Sequence, residues 1–186
     1  NELQRLGLAE NTIVVYTSDN GVYMGERGLA GKWSHFNESL RIPLIVMDPR
    51  GPVALRGRVE TTNVMNVDLA PTLLQLAGLS VPATMQGRSL SPMLSGQEDH
   101  GREGDFLCEH LWEFSSIPRW EGVRGTRYAY ARYFDDLPAY EFLHDLLTDP
   151  DEIVNLAGSA AHAGILAKMR ERTDQLIRRY ESARAS

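Results

Sequence analysis

A lone cysteine, Cys108, has no partner for an internal disulfide, so no covalent framework holds this chain together. No apolar run approaches the roughly 18 residues that a membrane-spanning helix needs. Basic residues are outnumbered, 19 lysines and arginines against 25 acids, and they form no block. Nucleic-acid surfaces show the opposite pattern, which argues against such a partner. The chain opens on Asn1 without an initiator methionine or a signal-peptide pattern, so its start says nothing of compartment. What is present is ordinary for a globular body: 186 residues, 42% of them hydrophobic. That suffices for one domain, or a domain with a small satellite.

Periodicity divides the chain into two styles. Residues 2–9 read as the end of a helix closed by Gly7. The runs 12–17 and 42–47 are almost wholly apolar or β-branched, as parallel strands buried on both faces are. The glycine-rich stretch 20–34 between them reads as a loop, in the place where open α/β sheets carry ligand loops. A helix is expected over 66–78, with Asn66 or Asp68 as cap, Pro71 early, an apolar stripe of Leu69, Leu73, Leu74 and Ala77, and Gly78 at its end. Residues 79–104 are loop-rich, and 96–104 form the best boundary. Beyond it, Phe106–Phe114, Trp120–Arg124, Arg127–Phe134 and Tyr140–Asp145 read as short antiparallel strands. A final amphipathic helix over 162–185 gathers Ile165, Leu166, Met169, Thr173, Leu176, Ile177 and Tyr180 on one face. Cys108 reads as a small buried hydrophobe.

The chemistry-bearing residues lie early. Asp19 and Asn20 follow the first strand directly and offer a carboxylate and an amide oxygen, donors that suit Ca²⁺ or Mg²⁺. Two donors are too few for a closed shell, and Asp-Asn-Gly is equally a turn string. Lys32, flanked by Gly31 and Trp33, can present a point charge to a tetrahedral anion. Arg27 is a second candidate anion contact, or else a salt-bridge partner. Further on, His110 and Arg119 stand among Glu109, Trp112 and Trp120. Such a cluster suits a sugar, and suits packing of a subdomain as well.

These fragments occur together, in order: Thr17-Ser18-Asp19-Asn20-Gly21, Gly25-Glu26-Arg27-Gly28, Gly31-Lys32-Trp33 and Glu38-Ser39-Leu40-Arg41-Ile42-Pro43. In that order and spacing they resemble the type I, formylglycine-dependent sulfatases of the alkaline-phosphatase-like superfamily. The likeness continues through Asp68–Leu74, Gln86–Leu90, Gly122–Tyr130, Tyr140–Phe142 and Leu146–Leu156. It implies an α/β fold: part of a mixed or parallel sheet sandwiched by helices over 1–100, then a small antiparallel sheet with a packed helix over 101–186. Asp19 and Asn20 would be two ligands of a catalytic Ca²⁺, and Lys32 would bind the sulfate group. Arg27, His110 and Arg119 would contact substrate, a sulfate ester of sulfated-sugar type. Many relatives carry histidine where this chain has Arg27, which leaves a histidine-specific role there open. Such enzymes are often exported, which implies a periplasmic or secreted location.

The same resemblance exposes what this stretch does not contain. Cys108 is followed by Glu109-His110-Leu111-Trp112 and not by the Cys-x-Pro-x-Arg pattern that yields formylglycine, and the family's first metal-binding aspartate pair has no counterpart. Formylglycine is therefore expected on an upstream segment, and this stretch alone is expected to be inactive. Two apolar strands with unpaired edges imply that it oligomerises or pairs with the upstream half of the same enzyme. A phosphate or phosphonate ester hydrolase of the same superfamily, and a non-catalytic binding remnant, stand as alternatives.

Overall fold

The computed structural model describes residues 2–97, 104–113, 117–135 and 140–184. The middle of the expected boundary and the ends of two expected elements, Phe114 and Ala185, lie outside them. The described residues fall into two compact units, drawn from Asn1–Thr17 with Pro43–Arg102 and from Ser18–Ile42 with Glu103–Ser186. No helix among them is long and apolar enough to cross a membrane.

The first unit begins with a short helix, α1 (Glu2–Arg5), and contains the strands β1 (Val14–Thr17) and β4 (Leu44–Met47). The expectation of parallel strands buried on both faces is corrected here. β1 and β4 pair antiparallel, Val14 opposite Met47 and Tyr16 opposite Ile45. Those four side chains share one face, and all four are exposed. An apolar run reports burial potential but not the direction of the neighbouring strand.

Helix α3 (Leu69–Leu76) of the same unit also departs from expectation at its start. Asp68 is fully buried, but its carboxylate accepts the N–H groups of Met65 (2.9 Å) and Arg88 (2.7 Å). It therefore ties the helix start to the segment ahead of α4 (Ser91–Leu94). The buried face is Pro71 and Thr72, whereas Leu73, placed in the expected stripe, is half exposed. Thr72 serves the same junction, its Oγ1 accepting the Leu90 N–H at 2.8 Å. The helix ends as expected at Gly78, left-handed at φ 76°, with Gly78 N–H to Gln75 and Leu79 N–H to Leu74.

The second unit is built on a four-stranded antiparallel sheet in sequential order: β5 (Phe106–His110), β6 (Trp120–Arg124), β7 (Tyr128–Tyr133) and β8 (Tyr140–Asp145). Alternation gives the sheet two apolar faces. Val123, Tyr130 and Leu143 meet α5 (Ala163–Arg184) through Leu166 and Leu176. Each large apolar side chain so buried contributes about 1.5–3 kcal/mol.

The other face carries Trp120, Tyr133, Phe142 and His144, and segment 18–42 lies on it. The His35 ring lies tilted against Phe142 at 4.4 Å and its Nδ1 bonds the Tyr133 hydroxyl at 2.9 Å. Within that segment the expected loop contains a small hairpin, β2 (Tyr23–Met24) with β3 (Ala30–Gly31), followed by α2 (Asn37–Leu40).

Candidate functional site

Asp19 and Asn20 leave the end of β1 on an exposed turn. The turn is held by the Gly21 N–H, which donates to the Ser39 carbonyl at 3.0 Å. A side chain at position 21 would place its Cβ 2.0 Å from the Glu38 carbonyl oxygen, so only glycine permits this approach.

Lys32 follows β3 and reaches back to this turn. Its Nζ lies 2.7 Å from Asp19 Oδ2. That bond, with lesser help from the Asn20 backbone N–H, holds the Asp19 carboxyl below its ordinary range, so it is an anion at neutral pH. The Asp19 side chain is 76% exposed, so its carboxylate is accessible to a cation.

The backbone around Lys32 is unusual. Gly31 is left-handed at φ 83°, and so is Trp33 at φ 95°. A bulky residue there carries strain of about 1–3 kcal/mol and needs its surroundings to hold it. They do: the Trp33 N–H donates to Ser39 Oγ at 2.9 Å, its carbonyl accepts the Trp120 indole N–H at 2.6 Å, and its ring lies 5.3 Å from that of His110. The Lys32 ammonium sits 5.4 Å from the Trp33 ring centre.

The structure thus brings Asp19, Asn20 and Lys32 together and joins His110 to them through Trp33. Burial leaves the His110 Nε2 without a hydrogen-bond partner among the described residues. Arg119 stands at the same end of the sheet, beside Trp120, but its guanidinium is engaged by Asp135 (2.7 Å) and Glu113 (3.3 Å). Arg27 points elsewhere. It bonds Glu38 at 3.1 Å and the backbone carbonyls of Asp151 and Glu152, and lies 4.0 Å over the Phe36 ring. Ser39, Trp120 and Glu152 carry the site's support; the sequence gives no sign of this for Ser39 or Glu152, and marks Trp120 only as a member of the cluster around His110 and Arg119. A helical serine, a sheet tryptophan and an acid in an Asp-Pro-Asp-Glu turn all have commoner explanations.

A cation fits the donors in kind, since Asp19 and Asn20 supply oxygens only. Calcium takes six to eight oxygens, so these two residues are part of a shell. Among the described residues no group of three or more His, Cys, Asp or Glu side chains gathers to complete one. Cys108 offers no thiolate: burial opposite Gly122 pushes its pKa up to about 12.

The family model described as N-sulphoglucosamine sulphohydrolase, C-terminal, matches residues 25–179. The chain belongs to this sulfatase family. An N-acetylglucosamine-6-O-sulfatase of Bacteroides thetaiotaomicron is 33% identical over 97% of the chain and 33% of its own length. A multifunctional alkaline phosphatase superfamily protein of Trinickia caryophylli is 31% identical over 88% of the chain and 34% of its own length. Among solved structures, one in complex with its substrate D-glucosamine-2-N,6-O-disulfate superposes with a TM-score of 0.87 at 30% identity. It covers 97% of this chain and 37% of that one. A phosphonate monoester hydrolase of Agrobacterium radiobacter superposes at 0.82 with 26% identity, covering 95% and 37%. The chain spans about a third of the length of the curated relatives it matches. The mixed α/β fold, with its four-stranded antiparallel sheet and final helix, is the sulfatase one.

Proposed function

We propose that this chain is the C-terminal part of a sulfuric ester hydrolase acting on a sulfated sugar, with Lys32 as its charge for the sulfate oxygens. The observation that carries this is the Lys32–Asp19 pair at 2.7 Å, beside Asn20. It sets an ammonium next to two candidate cation ligands, an arrangement suited to neutralising an oxyanion while an S–O bond breaks. A divalent cation, when bound, supplies further electrophilic stabilisation, and formylglycine on another segment supplies the nucleophile. The chain's own residues hold the anion: Lys32 pairs with Asp19 in its absence and turns to the substrate oxygens when they arrive. His110 beside Trp33, and Arg119 at the same sheet end, face the sugar. Several relatives bear names of carbohydrate sulfatases, including a Delta 4,5-hexuronate-2-O-sulfatase, which supports this class.

The exposed apolar face of Val14, Tyr16, Ile45 and Met47 is the surface that the rest of the enzyme covers. The 186-residue stretch expressed alone should therefore associate with itself and hydrolyse nothing.

The test is turnover by the polypeptide as the cell makes it, on N-acetylglucosamine 6-sulfate and on a phosphonate monoester. Preference for the sulfate ester supports the proposal. Preference for the phosphonate, the activity named for the Agrobacterium relative, replaces it with the second reading.

A further inference from the structure

Ser39 is 1% exposed and lies inside α2, yet its hydroxyl neither caps that helix nor bonds back along it. Helical serines ordinarily do one of these or face solvent. Here Oγ accepts the N–H of Trp33, and the carbonyl of the same residue accepts the N–H of Gly21. Gly21 follows Asn20 directly and Trp33 follows Lys32 directly. One buried residue, through two different atoms, is bonded next door to each half of the candidate site.

We propose that Ser39 is a positioning residue that sets the separation between the Asp19–Asn20 pair and Lys32. Its own N–H donates to the Phe36 carbonyl at 3.0 Å, which fixes it in the first turn of α2. The missing Cβ of Gly21 lets the ligand turn close onto the Glu38–Ser39 backbone. On the other side, Trp33 sits at a positive φ that it would not hold unaided. Ser39 Oγ clamps its N–H and the Trp120 indole clamps its carbonyl. With either clamp removed, the Trp33 backbone relaxes from its positive φ and the ammonium beside it leaves its place. The inference rests on the reading of Lys32 as the anion-binding charge.

The test uses the whole enzyme with the faster of the two esters above. Ser39→Ala keeps the carbonyl bond to Gly21 and removes only the acceptor for Trp33. It should lower kcat about tenfold to a hundredfold with KM nearly unchanged, as misplacement of a catalytic group does. Calcium affinity, read by titration calorimetry, should stay at the wild-type value, because the turn holding Asp19 and Asn20 keeps its bond. Trp120→Phe should mimic the kcat loss. The double variant should lose less than the product of the two single losses, since both side chains hold the backbone of one residue, Trp33. An unchanged kcat in both single variants, in an enzyme that Lys32→Ala inactivates, overturns the positioning role alone. So does an equal loss of calcium affinity and kcat, which is what general loosening produces. Full activity in Lys32→Ala, or no turnover of either ester by the wild type, overturns the reading beneath it as well.

Discussion

Glu152 accepts the backbone N–H of Asn37 through Oε2 at 2.8 Å and the guanidinium of Arg124 through Oε1 at 2.7 Å. Its side chain is fully buried and its backbone is left-handed at φ 52°. Its carbonyl takes Arg27 besides. One acid in a turn after β8 thus fastens segment 18–42, which carries Asp19 and Lys32, to the antiparallel sheet.

Removing this charge is expected to cost stability. Glu152→Gln keeps an oxygen for Asn37 but leaves Arg124, with only 14% of its side chain exposed, without its anion. Breaking a buried pair on one side costs about 3–5 kcal/mol. Urea unfolding of the whole enzyme should show a midpoint lowered accordingly at unchanged slope. A change under about 0.5 kcal/mol, the surface norm, would contradict the role.

The face beneath that segment predicts a pH response. Burial, and then His144, Arg124 and Arg27, hold His35 well below its ordinary pKa, while burial lowers His144 against an opposing pull from Glu152. His144 Nδ1 donates to the Val154 carbonyl, and the Nε2 atoms of both rings have no partner among the described residues. Protons then bind the unfolded chain in preference. Stability is full above the unfolded histidine value of about 6.5 and falls as pH drops below it. Carboxylates held low by arginine, such as Asp145, lose their contribution only near pH 4 and below. The melting temperature should fall between about pH 6.5 and 5, and His35→Phe should reduce that slope whatever it does to absolute stability. An identical slope in the variant would refute the assignment.

Cys108 should be chemically silent in the folded enzyme. With its pKa pushed to about 12 by burial, almost no thiolate exists at neutral pH. Iodoacetamide should label it only after unfolding. Rapid labelling of the native protein would show that β5 opens.

The antiparallel half of the fold was legible because its signals are local. Tyr128 and Tyr130 alternate with alanines, Gly78 closes a helix, and Leu166, Thr173 and Leu176 recur at helical spacing and are buried. The pairing sense of β1 and β4 was not legible, since an apolar strand reads alike beside either kind of neighbour. Asp19, Asn20 and Lys32 could be picked out by residue type and order, and the structure brings them together. Their supports could not: Ser39 acts on Trp33 and Gly21 through space, and the Trp120 indole reaches Trp33 across 87 residues of sequence.

The central claim is that Lys32 supplies positive charge to a sulfate in the transition state. Its most direct test is the kcat of Lys32→Ala against wild type on N-acetylglucosamine 6-sulfate, with folding checked by melting temperature. Loss of one preorganised donor costs about 10²–10³ in kcat, and the account predicts a fall of that size in a protein that still folds. A variant that folds and turns over at the wild-type rate would contradict it.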